Sequence, residues 1–513
     1  MAPLTKITNW SDFAKQLATL KSNGVYALTT DVWWGDVEKN GNNQFDWSYY
    51  RQYAQTVRES GLKWVPIIST HQCGGNVGDD CNIPIPSWVW NLASTDTLTH
   101  KSETGYVNKE TLSPWASGVV STQYDELYES FARNFSDYKD IIIKIYLSGG
   151  PAGELRFPSY VSNDGWSYPS RGKLQAYTET AKSDFRTNMQ AKYSTLTNLN
   201  TAWKTNLTSW SQINPPSDGD NFFSSGAAYN SQYGKDFMTW YQNVLIKHLN
   251  LISQKAHENF DPTFGVPVGA KIAGIHWKMN DPSMPHASEY SAGYYNYASI
   301  LDQFKASNLH LTFTCLEMDN SQEFTSPYYS APKALVTQIA NLATQRGIVL
   351  NGENALAISS SDASYSESRY RNTAQHLFNE GFSGFTLLRL ANVVQSNGTK
   401  TAEMDRFRDI LALQPIKVEF IVKNAPTAYG DTVYVTGNRW EMGMWNNPDG
   451  DMIKLTWDNT NKDWRGTATI AANRYYEFKA VIVGSNGSPK AWEPNGNNTW
   501  STPNVNSNYT IQW

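Results

Sequence analysis

Seven apolar, β-branched runs recur along the chain, at residues 25–31, 64–70, 141–147, 268–276, 311–316, 347–350 and 385–389. Amphipathic stretches long enough for helices stand around and between them, at 10–21, 47–60, 121–134, 172–192, 234–259, 332–346 and 366–380. Near-continuous hydrophobicity suits strands covered on both faces of a parallel sheet. Met1-Ala-Pro-Leu4 reads as an eighth strand cut short, which would leave a sheet edge open. Eight strand–helix alternations argue for an α/β fold, a (β/α)8 TIM barrel with long loop insertions. The competing doubly wound sheet would need a glycine fingerprint at its first turn, and none is present.

Polar residues fall where such a barrel would use them. Asp31, His71, Glu154, Lys271 with His276, Thr314, Glu353 and Arg389 stand at or just beyond the carboxyl ends of predicted strands, the rim where barrels carry out chemistry. Two of them are lone glutamates in glycine-containing segments, Ser148-Gly-Gly-Pro-Ala-Gly-Glu154-Leu-Arg156 and Leu350-Asn-Gly-Glu353-Asn-Ala-Leu356. A carboxyl pair presented this way is the equipment of glycoside hydrolysis, one group giving a proton and the other acting as base or nucleophile.

After Leu413-Gln-Pro415 the pattern changes to short alternating runs at 418–422, 432–436, 464–470, 476–483 and 509–513, separated by Asn, Gly and Asp turns. This reads as a small all-β antiparallel sandwich, so the expected domains are 1–413 and 414–513. Its exposed-looking aromatics are Trp445, Trp492 and Trp500.

A net charge of −5 gives no footing for nucleic acid or an anionic membrane. No apolar run approaches the ~20 residues needed to span a bilayer, and no basic-then-apolar leader opens the sequence. The 20 Trp and 29 Tyr suit stacking on sugar rings as well as a large core. Cys73 and Cys81 flank a glycine-rich loop and could close it, a bridge contributing about 2–3 kcal/mol and implying an oxidising, extracellular setting. Cys315 is left over and is expected to be reduced and buried.

These segments together resemble the beta-amylases, in the bacterial form that carries a C-terminal starch-binding module. The resemblance rests on Asp31-Val-Trp-Trp-Gly35, His71-Gln-Cys-Gly-Gly-Asn-Val-Gly-Asp79, Gly149-Gly-Pro-Ala-Gly-Glu154-Leu-Arg156, Gly274-Ile-His276-Trp277, Thr314-Cys-Leu-Glu317, Asn351-Gly-Glu353-Asn354-Ala355 and Leu387-Leu-Arg389. In the second domain it rests on Gly437-Asn438, Met442-Gly-Met-Trp445, Phe478-Lys479 and Trp492-Glu493. It implies an inverting, exo-acting hydrolase of α-1,4-glucans that releases β-maltose from non-reducing ends. Glu154 would be the general acid and Glu353 the general base, with Lys271 and Thr314 stabilising the charge of the base. An inverting pair stands roughly 6.5–9.5 Å apart, leaving room for the attacking water.

The resemblance also implies sugar contacts from Asp31, His71, Asp79, Lys271, His276, Thr314, Asn354, Ala355 and Arg389, with His276 and Glu317 balanced between that role and a structural one. Residues 74–80 would form a lid, with Asp79 at its acidic tip making contact on closure. In the sandwich, Trp445 and Trp492 would form a stacking platform, Lys479 and Asn497 would bond hydroxyls, and Trp500 would belong to the core or a secondary contact. Lys278-Met279 stands where an outer aromatic is frequent, so that contact is expected to be weaker.

A structural calcium site is implied at Glu38, Asn42, Asn43, Gln123 and Glu126. Amides replace two expected carboxylates there, which weighs against tight calcium, and no cofactor is required. Expected partners are starch, amylose and maltooligosaccharides, for a secreted monomer. Two other readings stand beside this one: a non-catalytic starch-binding protein, and a retaining glucosidase or transglycosylase.

Overall fold

The computed structural model describes residues 1–75, 79–224, 227–358, 363–411, 413–445 and 452–513. Its main sheet holds seven strands: β1 (Ala27–Trp33), β2 (Lys63–Ser69), β3 (Ile145–Leu147), β4 (Val268–Ile272), β5 (His310–Phe313), β6 (Leu350–Glu353) and β7 (Gly384–Thr386). They pair in chain order and every ladder is parallel. β3, β4 and β6 are buried along their whole length, as continuous apolar runs in a doubly covered sheet require.

The expected eighth strand is not one by its hydrogen-bond pattern, but its residues occupy the seam between first and last strands. The Ala2 amide donates to the Thr29 carbonyl in β1 at 2.9 Å, and the Leu390 amide, just past β7, donates to the Met1 carbonyl at 2.8 Å. The open edge expected from a shortened strand is thus bridged on both flanks.

Helices α1 (Trp10–Ser22), α2 (Ser48–Glu59), α3 (Ser117–Phe135), α4 (Glu179–Tyr193), α5 (Gln232–Phe260), α6 (Tyr297–Ala306) and α7 (Pro332–Arg346) follow the strands or lie in the long insertions. α4 begins seven residues later than the expected 172, because the Thr178 side chain accepts the Ala181 amide and caps it there. α6 answers to no helix expected from the sequence; Asn296 caps it by accepting the Ser299 amide.

The all-β part comprises β8 (Pro415–Lys423), β9 (Thr432–Gly437), β10 (Ile453–Lys454), β11 (Thr456–Asp458), β12 (Asp463–Ala471), β13 (Tyr475–Val483), β14 (Pro489–Trp492), β15 (Asn498–Ser501) and β16 (Ser507–Gln512). One sheet runs β11-β12-β8-β16, the other β10-β9-β13-β14 with β15 on β13. Val418, Phe420, Val433, Val435, Phe478 and Ile511 fill the core. The sandwich is not purely antiparallel, since β8 pairs with β16 in parallel, Val418 opposite Ser507. Alternation alone carries no sign of strand direction.

The chain divides into two compact units, Met1–Ser366 with Phe382–Met404, and Glu367–Gly381 with Asp405–Trp513. Within the second, Phe378 meets the Trp440 ring edge-on at 5.0 Å.

Candidate active site

The carboxyl ends of the strands converge on the two glutamates. β6 ends on Glu353, which is 5% exposed, and Lys271 of β4 reaches across to it, its Nζ 2.8 Å from both carboxylate oxygens. The buried carboxyl thus has an equally buried ammonium on both of its oxygens.

Glu154 follows β3 through a tight turn in which Ala152 and Gly153 both have positive φ. The turn passes close to other backbone: a Cβ at Gly150 would lie 2.5 Å from the Arg156 carbonyl oxygen, which explains a glycine there. Glu154 pairs with Lys271 in a parallel bridge, and the Leu155 amide donates to the Lys271 carbonyl at 2.8 Å. Its carboxyl accepts from Arg156 Nε at 2.9 Å and from the Tyr160 hydroxyl at 3.4 Å. Burial raises the Glu154 pKa above the usual carboxylate range, and the Glu353 charge adds to this against the pull of Arg156 and Lys271. The two carboxyls therefore differ in their partners, Glu353 held by an ammonium and Glu154 by a guanidinium and a phenol.

Around them, Asp31 accepts from Ser69 Oγ at 2.8 Å, and His71 Nδ1 meets Ser148 Oγ at 2.8 Å. Burial, with Lys271 and Arg156 nearby, lowers the His71 pKa to about 3, so its imidazole is neutral. Arg389, Lys271, Glu353 and Asp31 all lie within electrostatic reach of the Met1 nitrogen, which gathers them into one neighbourhood. His276 Nδ1 meets Ser330 Oγ at 2.7 Å. Thr314 Oγ1 accepts the Gly274 amide at 2.8 Å, so its placement is fixed by that backbone and not by Glu353.

Two expected sugar ligands have polar groups committed within the protein. Asn354 is fully buried and its side-chain amide is spent on the backbone: Nδ2 donates to the Leu356 and Leu388 carbonyls, and Oδ1 accepts the Leu388 amide. It ties the end of β6 to the segment after β7. The Ala355 amide is taken by Glu317, whose carboxylate also accepts the Leu356 amide at 2.8 Å. Glu317, 1% exposed, is thus a backbone clamp. The side-chain amide nitrogen of Asn354 and the Ala355 main-chain amide are thus already engaged within the protein. Lys278 is paired with Asp281 at 2.7 Å.

Cys73 and Cys81 are joined in a disulfide, and Cys315 is free and buried, as expected. Residues 76–78 of the expected lid lie outside the described residues; Asp79 accepts the Gly74 amide at 3.1 Å. The sequence assigns no role to Arg156, only 2% exposed and stacked over Tyr160 at 4.0 Å, nor to the aromatics that lead outward from it. Tyr160 contacts Trp277 at 5.4 Å, Trp277 contacts Tyr168 at 5.8 Å, and Tyr168 stacks on Tyr328 at 5.8 Å. The short spacing from Glu154 to Tyr160 is the one local signal of this arrangement.

At the expected cation site, Glu38 is fully buried and accepts from Trp34 Nε1 and the Asn43 amide, each at 2.6 Å. Burial raises its pKa, and Glu126 raises it further. Gln123 Oε1 and Glu126 Oε2 are buried acceptors with no donor among the described residues. Orphaned oxygens beside a second carboxylate fit a hard cation; Asn42 and Asn43 are exposed.

In the sandwich, Trp492 is 40% exposed and Trp445 half-buried, while Trp500 packs on the core. Lys479 Nζ donates to the Glu493 carbonyl at 2.9 Å, and Asn497 is exposed. Trp457, not singled out in the sequence, is also 40% exposed.

Comparison with known proteins fits this geometry. Residues 1–414 match the model of glycosyl hydrolase family 14. The chain belongs to that family. Residues 415–512 match the starch binding domain. The chain is 53% identical to the thermophilic beta-amylase of Thermoanaerobacterium thermosulfurigenes and 52% to the beta-amylase of Bacillus cereus, covering all of this chain and 92% of each of those proteins. The crystal structure of the catalytic domain of the Paenibacillus polymyxa beta-amylase superposes with a TM-score of 0.76 at 57% identity, over 80% of this chain and 96% of that one. This family member is a beta-amylase-type glycoside hydrolase with a starch-binding domain.

Proposed function

We propose that the chain hydrolyses α-1,4 linkages of starch from non-reducing ends and releases maltose in the β configuration, with Glu154 as general acid and Glu353 as general base. The observation that carries these roles is the contrast between the two carboxyls. Glu353 is bound by an ammonium at 2.8 Å through both oxygens, whereas burial favours the protonated form of Glu154.

In the reaction, the protonated Glu154 gives its proton to the glycosidic oxygen as the bond breaks. The ionised Glu353 takes a proton from a water attacking the opposite face of the sugar ring. Lys271 holds and orients Glu353 through both oxygens, and Arg156 with Tyr160 orients Glu154. Asp31, His71, Arg389 and His276 supply the polar groups that grip sugar hydroxyls, the neutral His71 among them. Trp445 and Trp492 present rings to starch chains, which raises the local substrate concentration without altering the chemistry. Glu38, Gln123 and Glu126 would hold a calcium ion as a structural tie. The enzyme acts as a monomer on amylose and maltooligosaccharides, in a place outside the cell that the Cys73–Cys81 disulfide supports.

Proton NMR of fresh maltopentaose digests tests this reading. Initial β-maltose supports single displacement with inversion. Initial α-anomer would overturn it in favour of a covalent intermediate.

A further inference from the structure

Among the aromatic side chains, Tyr168 stands out because it is 45% exposed yet fixed in place. Its ring stacks on Tyr328 at 5.8 Å and an interplanar angle of 28°, and also meets the rings of Trp277 at 5.8 Å and His276 at 6.4 Å. Ring contacts run in series from Tyr160, beside Glu154, through Trp277 to Tyr168. The outer step of that series leads toward solvent: Trp277 is 7% exposed and Tyr168 45%.

An enzyme that removes two sugars from a chain end must enclose the end and let the remaining polymer leave toward solvent. The proton donor marks the leaving-group side of the cleaved bond. A track of rings that starts at the donor and opens to solvent therefore lies on the side of the departing chain. We propose that the Tyr168–Tyr328 pair is a landing shelf for glucose units of the departing chain beyond those nearest the cleaved bond, and so sets preference for long over short glucans. This rests on the function proposed above.

The test compares kcat/KM for maltotetraose and maltoheptaose in the unmodified protein, Tyr168→Ala, Tyr328→Ala and Tyr168→Phe. Loss of a ring contact should cost about 3- to 10-fold on maltoheptaose, chiefly in KM, with maltotetraose changed less than about twofold. Tyr168→Phe, which keeps the ring, should retain the original ratio. Equal losses on both substrates, or none on either, would overturn the shelf while leaving the hydrolytic reading intact. Failure of the unmodified protein to release maltose from either substrate would overturn both.

Discussion

Arg156 Nε lies 2.9 Å from Glu154 Oε2, so the carboxyl proposed to carry the proton is held by a group that favours its ionised form. Burial opposes that pull and prevails, leaving the Glu154 pKa raised. Replacing Arg156 with Met removes the opposing charge. The alkaline limb of the kcat/KM profile, where the acid loses its proton, should then move to higher pH. An unmoved limb would assign it to another group.

Lys271 and Glu353 make the complementary case. Lys271→Met strands a buried carboxylate, which should cost about 3–5 kcal/mol of stability and lower the rate by roughly 10²–10⁴ as the base is lost. Glu353→Gln keeps an acceptor for Lys271 but leaves its buried ammonium without a counter-charge, so a similar rate loss should come with a loss of Tm that the retained hydrogen bond partly offsets. Calorimetry beside maltose-release assays separates the two. Full activity in Glu353→Gln would remove Glu353 from the chemistry.

Acid stability should depend on His100 and His248, both buried. Burial lowers their pKa values to about 3 and about 4, and His248 adds to the effect on His100. In the unfolded chain they titrate at about 6.5. Their contribution is complete above that value and is lost as pH falls toward about 4, by up to ~1.4 kcal/mol per pH unit for each group. His248→Leu should flatten the slope of stability against pH in urea titrations between about pH 4 and about pH 6.5. An unchanged slope would locate the acid sensitivity elsewhere.

Millimolar calcium should raise Tm through Glu38, Gln123 and Glu126. Gln123→Glu should strengthen the response and Glu126→Gln weaken it, as read by differential scanning calorimetry with and without a chelator. A Tm indifferent to calcium in all three proteins would exclude the ion from this site.

Much of the barrel is legible in the sequence because strands covered on both faces leave continuous apolar runs, and Glu154 and Glu353 because each ends such a run beside glycine. The backbone role of the Asn354 side chain is not legible, because an amide that bonds sugars and one that bonds backbone look alike in sequence. Only its complete burial and its three backbone partners separate them. The parallel pairing of β8 with β16 is hidden because alternation has no direction. The Tyr168–Tyr328 stack joins positions 160 residues apart, a separation no local pattern records.

The backbone of Lys271 accepts the Leu155 amide while its ammonium holds Glu353. One residue thus acts as a caliper, with a jaw on each of the two carboxyl-bearing segments. A shift of β4 would carry Glu154 and Glu353 together, so the spacing of the two carboxyls proposed as acid and base would be insensitive to small movements of the barrel wall.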